Sequence, residues 1–109
     1  MKVLFDQGTP VPLRRHLAEH AVSTTFEEGW SELSNGQLLD AAERAGFELL
    51  VTTDGNLQYQ QNLKERRIAI VVLRSTSWPR IQMAISAIQL AVGRASRGTY
   101  EEVDIPFSG

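Results

Sequence analysis

Two aspartates, Asp6 and Asp54, each come directly after a short run of apolar and β-branched residues and shortly before a glycine. The first run is Lys2–Phe5 (KVLF) and the second is residues 49–53 (LLVTT). Such runs are typical of buried strands, and open α/β sheets bind their ligands at the carboxyl ends of these strands. Two unpaired carboxylates at neighbouring strand ends repel each other, which favours either a cation between them or a raised pKa of one of them. The alternative is that each aspartate only caps the turn that follows it.

Two asparagines and two threonines accompany these aspartates. Amide oxygens of Asn35 and Asn56 can serve as neutral metal ligands, although they add no charge to balance that of the ion. Both asparagines also stand where a helix is predicted to begin, and asparagine is a preferred helix cap. We therefore keep both interpretations, ligand and cap. Thr52 and Thr53 alternate sides along their strand, so that one of them can face the same cleft.

The apolar pattern predicts an α/β fold in which strands alternate with helices. Strands are predicted at residues 2–5, 21–26, 49–53 and 68–73, and helices after Pro12, Asn35, Asn56 and Ser77. Right-handed crossovers between them give a mainly parallel four-stranded sheet inside a three-layer α/β/α sandwich. The order 2-1-3-4 places the first and third strands side by side. A core of about residues 1–95 is then followed by an edge strand or tail at residues 96–109, in a single domain.

Composition limits the classes of function. The chain has 109 residues, 42% of them hydrophobic, and no cysteine, which excludes disulfides, thiolate metal sites and cysteine nucleophiles. No apolar run approaches the length of a membrane span, so we expect a cytoplasmic protein that does not enter a membrane. The net charge of −2 provides no overall basic field. Nucleic-acid binding would therefore need a local basic patch.

Four residues are candidates for contact with a substrate. Arg14 and Arg15 follow Asp6 closely and can meet phosphate groups, although charged helix ends are the commoner explanation. Gln37 can reach the same cleft or lie at the surface. Tyr59, in an amide-rich stretch, can stack on a base of a single strand or pack against the core.

Three segments taken together resemble the small PIN-like proteins of the DUF5615 group, relatives of the Mut7-C domain and of the toxin halves of prokaryotic toxin–antitoxin pairs. These segments are residues 4–7 (LFDQ), 35–39 (NGQLL) and 50–57 (LVTTDGNL), and the resemblance covers about residues 1–75. It implies a PIN-like fold and Mg²⁺- or Mn²⁺-dependent cleavage of RNA. Asp6 and Asp54 would be the catalytic, metal-binding acids, assisted by Asn35 and Asn56.

The chain departs from this family at the same three segments. The family usually carries Asp-Glu-Asn where residues 6–8 read DQG, often an acid where residues 35 and 37 are amides, and often Asp-x-Asp where residues 54–56 read DGN. Only Asp6 and Asp54 keep their carboxylates. Two-metal hydrolysis needs two ions about 4 Å apart, so we expect one ion here.

Two hypotheses follow from the sequence. In the first, the chain is a PIN-like ribonuclease that acts on single-stranded RNA, as the toxin component of a toxin–antitoxin pair. In the second, it is a PIN-like domain that has lost catalysis and binds RNA or a protein partner. An antitoxin and a second copy of the chain in a homodimer are the protein partners that we expect.

Overall fold

The computed structural model of the protein, which describes residues 1–57 and 63–106, contains a five-stranded sheet. All pairings between neighbouring strands are parallel, and the order is β2-β1-β3-β4-β5. The α/β class is confirmed. The prediction of four strands in the order 2-1-3-4 is wrong, because a fifth strand continues the sheet beyond β4. The strands are β1 (Lys2–Phe5), β2 (Ala21–Thr24), β3 (Leu49–Thr52), β4 (Ala69–Leu73) and β5 (Tyr100–Val103).

The fifth strand is an edge strand of mixed character. Of its four residues only Val103 is buried, whereas β3 and β4 are buried along their whole length. Glu101 pairs with Arg94 and Glu102 with Arg74, so the charges of this edge are balanced from neighbouring elements. Charged residues on an edge also hinder pairing with another chain. The alternation of apolar and polar residues in this segment does not decide between a strand and a tail. Residues 100–103 form a strand because they pair with the free edge of β4.

Helices connect the strands. The helix predicted after Ser77 begins at Trp78, and the Ser77 hydroxyl caps it by accepting a hydrogen bond from the Arg80 N–H. None of the helices in the described ranges combines the length and the apolar character needed to cross a membrane. The α-helices among the described residues are α1 (Thr25–Glu28), α2 (Asn35–Arg44), α3 (Trp78–Ile81) and α4 (Ile85–Arg94). Short 3₁₀ helices lie at Val11–Leu17, Leu63–Glu65 and Gln82–Ala84.

The sheet is covered on both faces by separate apolar clusters. Alternate residues of a strand point to opposite faces, so Phe5 and Val51 belong to the cluster under the Val11–Leu17 helix and α4. Leu4 and Leu50 belong to the cluster under α2. The arrangement has the layers of an α/β/α sandwich, in which strands buried on both faces read as continuous apolar runs.

The register of β1 and β3 determines where the candidate site lies. Phe5 is paired with Val51, and the N–H of Asp6 donates to the carbonyl oxygen of Val51 at 2.9 Å. Asp6 and Thr52 are the next residues along these two neighbouring parallel strands. The carboxyl ends of β1 and β3 therefore bring their following loops to one edge of the sheet.

Candidate functional site

The two aspartates are connected through one hydroxyl group, that of Thr52. Thr52 Oγ1 donates to Asp6 Oδ2 at 2.9 Å and accepts from the backbone N–H of Asp54 at 3.1 Å. Thr52 is fully buried, whereas both aspartates are half-buried at the sheet edge. The structure thus brings Asp6 and Asp54 to one place, because β1 and β3 are neighbours in the sheet. Their role as catalytic and metal-binding acids stays a prediction.

Asn35 faces Asp54 from the first turn of α2. Its Nδ2 donates to Asp54 Oδ2 at 3.2 Å. The prediction that Asn35 caps this helix is wrong, because Ser34 is the cap: its hydroxyl accepts from the Gln37 N–H, and Gln37 Oε1 accepts from the Ser34 N–H. The capping box formed by Ser34 and Gln37 holds the start of α2, and the Asn35 side chain is not part of it.

Asp54 is also the first residue of a tight turn. Its Oδ1 accepts from the Asn56 N–H at 2.9 Å, the pattern by which an aspartate stabilises its own turn. The turn-capping interpretation and the metal-site interpretation of Asp54 are compatible, since each carboxylate oxygen that accepts one hydrogen bond keeps a further lone pair. The Asn56 side chain is exposed. The helix it was predicted to cap falls mostly outside the described residues.

A further threonine, Thr9, holds the loop after β1, and no sequence pattern singles it out. Thr9 Oγ1 donates to the carbonyl oxygen of Val51 at 2.9 Å, and the Thr9 N–H donates to the carbonyl oxygen of Asp6 at 3.0 Å. Thr9 is buried. Gly8 lies so close to Thr53 that a Cβ atom there would overlap the Thr53 hydroxyl oxygen. The loops after β1 and β3 are therefore packed directly against each other.

The four candidate substrate residues are placed differently. Arg14 Nη1 and Nη2 donate to the two carboxylate oxygens of Glu27 at 3.2 and 2.6 Å, and this contact holds the pKa of Glu27 below its usual value. Arg15 is exposed, and Gln37 belongs to the capping box. Tyr59 lies outside the described residues. The structure brings Asp6, Asp54 and Asn35 together. The Arg14 guanidinium instead forms an ion pair with Glu27.

The donor set fits one small hard cation. Mg²⁺ is commonly held by one or two carboxylates and keeps several of its waters, and Asp6 and Asp54 supply two carboxylates at this place. Across residues 1–57 and 63–106, no group of three or more histidine, cysteine, aspartate or glutamate side chains could hold a metal ion. A pair of ions sharing these two carboxylates would lack the charge that a two-metal centre needs.

Comparison of the chain with protein-family models, with curated proteins and with solved structures gives no match.

Proposed function

We propose that this chain is a PIN-like protein that holds one Mg²⁺ or Mn²⁺ ion between Asp6 and Asp54 and cleaves single-stranded RNA. The observation that supports this most directly is the Thr52 hydroxyl, which contacts both the Asp6 carboxylate and the Asp54 backbone. The two acids are thereby fixed at the sheet edge where α/β folds bind ligands. The resemblance to PIN-like proteins connects such a pair of acids with RNA cleavage.

Each residue has a part in this proposal. Asp6 and Asp54 bind the cation and balance part of its charge, and Asn35 orients Asp54 through the 3.2 Å hydrogen bond between their side chains. Asn56 lies two positions after Asp54 in the same turn and can add an amide oxygen. When bound, such a cation lowers the pKa of water and stabilises negative charge on phosphoryl oxygens. Arg15, which is exposed, is the arginine available for RNA phosphates.

A cleavage assay tests the proposal. The purified protein should cut a labelled single-stranded RNA in the presence of Mg²⁺ or Mn²⁺, and excess EDTA should stop the reaction. Asp6→Asn should abolish cleavage, whereas Glu19→Gln, which removes an exposed carboxylate from another part of the surface, should leave it unchanged. Cleavage that survives both EDTA and Asp6→Asn would contradict the metal mechanism.

A second function, binding without catalysis, is favoured by one specific observation. Asn35 donates a hydrogen bond to Asp54 at the position where a third acid would stand in an active relative. In this case the natural protein is inert towards RNA under all metal conditions but retains binding to RNA or to a protein partner. A gel-shift assay performed beside the cleavage assay separates the two functions.

The cellular role that we propose is that of a toxin component in the cytoplasm of a prokaryote. Exposed apolar side chains, among them Phe26 at 81% exposure, Met83 and Leu90, offer surface for an antitoxin or for a second copy of the chain. Light scattering after size-exclusion chromatography tests the homodimer. Growth arrest on expression, relieved by co-expression of a neighbouring gene product, tests the toxin role.

A further inference from the structure

A polar cavity of about 490 Å³ opens beside the Asp54 turn, on the side away from Asp6's strand. Thr53, Gly55 and Asn56 of the loop after β3 form one wall, and residues 74–76 after β4 form the other. The second wall reads Arg-Ser-Thr, a cation followed by two hydroxyl groups. Such a combination is suited to an anion, because guanidinium and hydroxyl groups donate hydrogen bonds to phosphate oxygens.

Arg74 is held at the mouth of this cavity by the edge strand. Its backbone N–H donates to the carbonyl oxygen of Val103 at 3.1 Å, and its Nη1 donates to Glu102 Oε1 at 3.0 Å. The other oxygen of Glu102 accepts from the Tyr100 hydroxyl at 2.9 Å. In the described part of the chain, the contact between Glu102 and the Arg74 guanidinium is made through Nη1 alone. The remaining N–H donors of the Arg74 guanidinium can therefore face a ligand.

The hydroxyl groups of the second wall can donate as well. Ser75 Oγ accepts from the Ser77 N–H at 3.0 Å, which uses a lone pair of the hydroxyl and leaves its hydrogen to be donated. Thr76 is exposed at the rim. The cavity therefore contains donors from Arg74, Ser75 and Thr76, and one internal anion, Glu102, that competes for the arginine.

We propose that this cavity binds a phosphate group, with Arg74 as its main ligand and with Glu102 taking the place of the anion when none is bound. As far as the phosphate belongs to an RNA strand, the proposal rests on the proposed function, since the cavity shares its Thr53–Asn56 wall with the Asp54 turn. A bound RNA strand would then place one phosphate on Arg74 and a neighbouring phosphate beside Asp6 and Asp54. Binding of the phosphate itself requires no metal and no cleavage.

The two partners of the Arg74–Glu102 ion pair should act in opposite directions, and this is the test. Binding is measured in EDTA by fluorescence anisotropy of a labelled single-stranded oligoribonucleotide, and by NMR titration with inorganic phosphate. Arg74→Gln should weaken binding about tenfold or more, equivalent to about 1.4 kcal/mol. Glu102→Gln should tighten it several-fold, because it removes the competing anion.

A matched ion pair on the same edge strand supplies the control. Arg94 and Glu101 also form an ion pair with similar side-chain exposure, although through two guanidinium nitrogens, and neither residue lines the cavity. Arg94→Gln and Glu101→Gln make the same changes in net charge. If they shift the affinity as much as the cavity variants do, or if Arg74→Gln and Glu102→Gln shift it in the same direction, the proposal is overturned.

The remaining outcomes separate this inference from the proposed function. Arg74-dependent binding of the oligonucleotide in EDTA, without cleavage in Mg²⁺, supports the phosphate site and contradicts the nuclease. Cleavage that depends on Asp6, together with oligonucleotide binding that Arg74→Gln leaves unchanged, supports the nuclease and contradicts the phosphate site. Arg74-dependent binding of inorganic phosphate alone assigns the cavity to a free phosphate, and binding of neither probe overturns it.

Discussion

The hydroxyl of Thr52 donates a 2.9 Å hydrogen bond to the carboxylate of Asp6, 46 positions earlier in the chain. The same oxygen accepts the N–H of Asp54, so that a single buried atom sets the position of both acidic loops. A hydroxyl can donate one hydrogen bond while it accepts another. The acids are thus positioned by the protein itself, through contacts that do not depend on a bound ligand.

Replacement of Thr52 by valine should destabilise the protein. Valine keeps the shape of the side chain, but Asp6 loses a donor and the Asp54 N–H loses its acceptor in a part-buried place. Loss of such contacts costs about 1–3 kcal/mol. The free energy of unfolding, from urea denaturation followed by circular dichroism, measures the effect.

Thr25→Val is the matched control. Thr25 is also buried, but within the described part of the chain its Oγ1 has no hydrogen-bond partner. The same change of side chain should therefore be neutral or slightly stabilising there, because an unsatisfied polar atom is removed. Equal losses in Thr52→Val and Thr25→Val would show that the Thr52 hydroxyl contributes nothing specific.

An acid introduced at position 35 should make the stability depend on metal, if the proposed metal site exists. In Asn35→Asp, a carboxylate would face the Asp54 carboxylate that Asn35 now contacts at 3.2 Å. Repulsion between them should lower the stability in EDTA by about 1–3 kcal/mol. A third anionic ligand should tighten Mn²⁺ binding roughly tenfold. Thermal unfolding with and without Mn²⁺, and calorimetric titration, measure the two effects.

Gln37→Glu is the control for this charge change. Gln37 lies two positions further along the same helix and is exposed, and a glutamate there can still accept from the Ser34 N–H. It should neither lower the Tm in EDTA nor tighten Mn²⁺ binding. An Asn35→Asp variant that behaves in the same way would exclude Asn35 from the proposed metal site.

Two glycines should respond oppositely to alanine. In Gly8→Ala the new Cβ overlaps the Thr53 hydroxyl oxygen and must displace it, whereas a Cβ at Gly93 in α4 meets open space. Gly93→Ala should stabilise the protein by about 0.5–1 kcal/mol, since alanine favours the helix. Gly8→Ala should destabilise it, and Thr53→Ala in the same chain should recover part of the loss. Additive effects of the two changes would contradict the contact.

Glu43 should make the stability depend on pH in the acid range. Burial acts to raise the pKa of Glu43, but hydrogen bonds from the Arg67 N–H and the Arg66 guanidinium outweigh it and lower the pKa. A lowered pKa in the folded state means that the stabilisation is complete above the ordinary glutamate value of about 4.5 and is lost as the pH falls through the lower, folded value. Glu43→Gln should flatten the fall of stability between about pH 5 and pH 3. An unchanged slope would assign the acid sensitivity to other groups.

The sequence by itself determined the class of fold and the place of the two acids. Continuous apolar runs such as Leu49–Thr52 and Ala69–Leu73 are typical of strands buried on both faces, and between predicted helices they indicate a parallel sheet covered by helices. A parallel sheet places the ends of neighbouring strands at one edge, so Asp6 and Asp54 had to come close once their strands were adjacent. The sequence also contains the start of α2, in the Ser34–Gln37 capping box, whereas the prediction places the cap one residue later, at Asn35.

Only the tertiary structure decided which polar groups meet. The contacts of Asp6 with Thr52, of Asn35 with Asp54 and of Arg14 with Glu27 join residues that are distant in the chain, and they depend on strand register and helix placement. The fifth strand has the same origin, because residues 100–103 become a strand only by pairing with the free edge of β4. Local propensity acts over a few residues, whereas hydrogen bonds between loops require the packed core to bring their donors and acceptors within about 3 Å of each other.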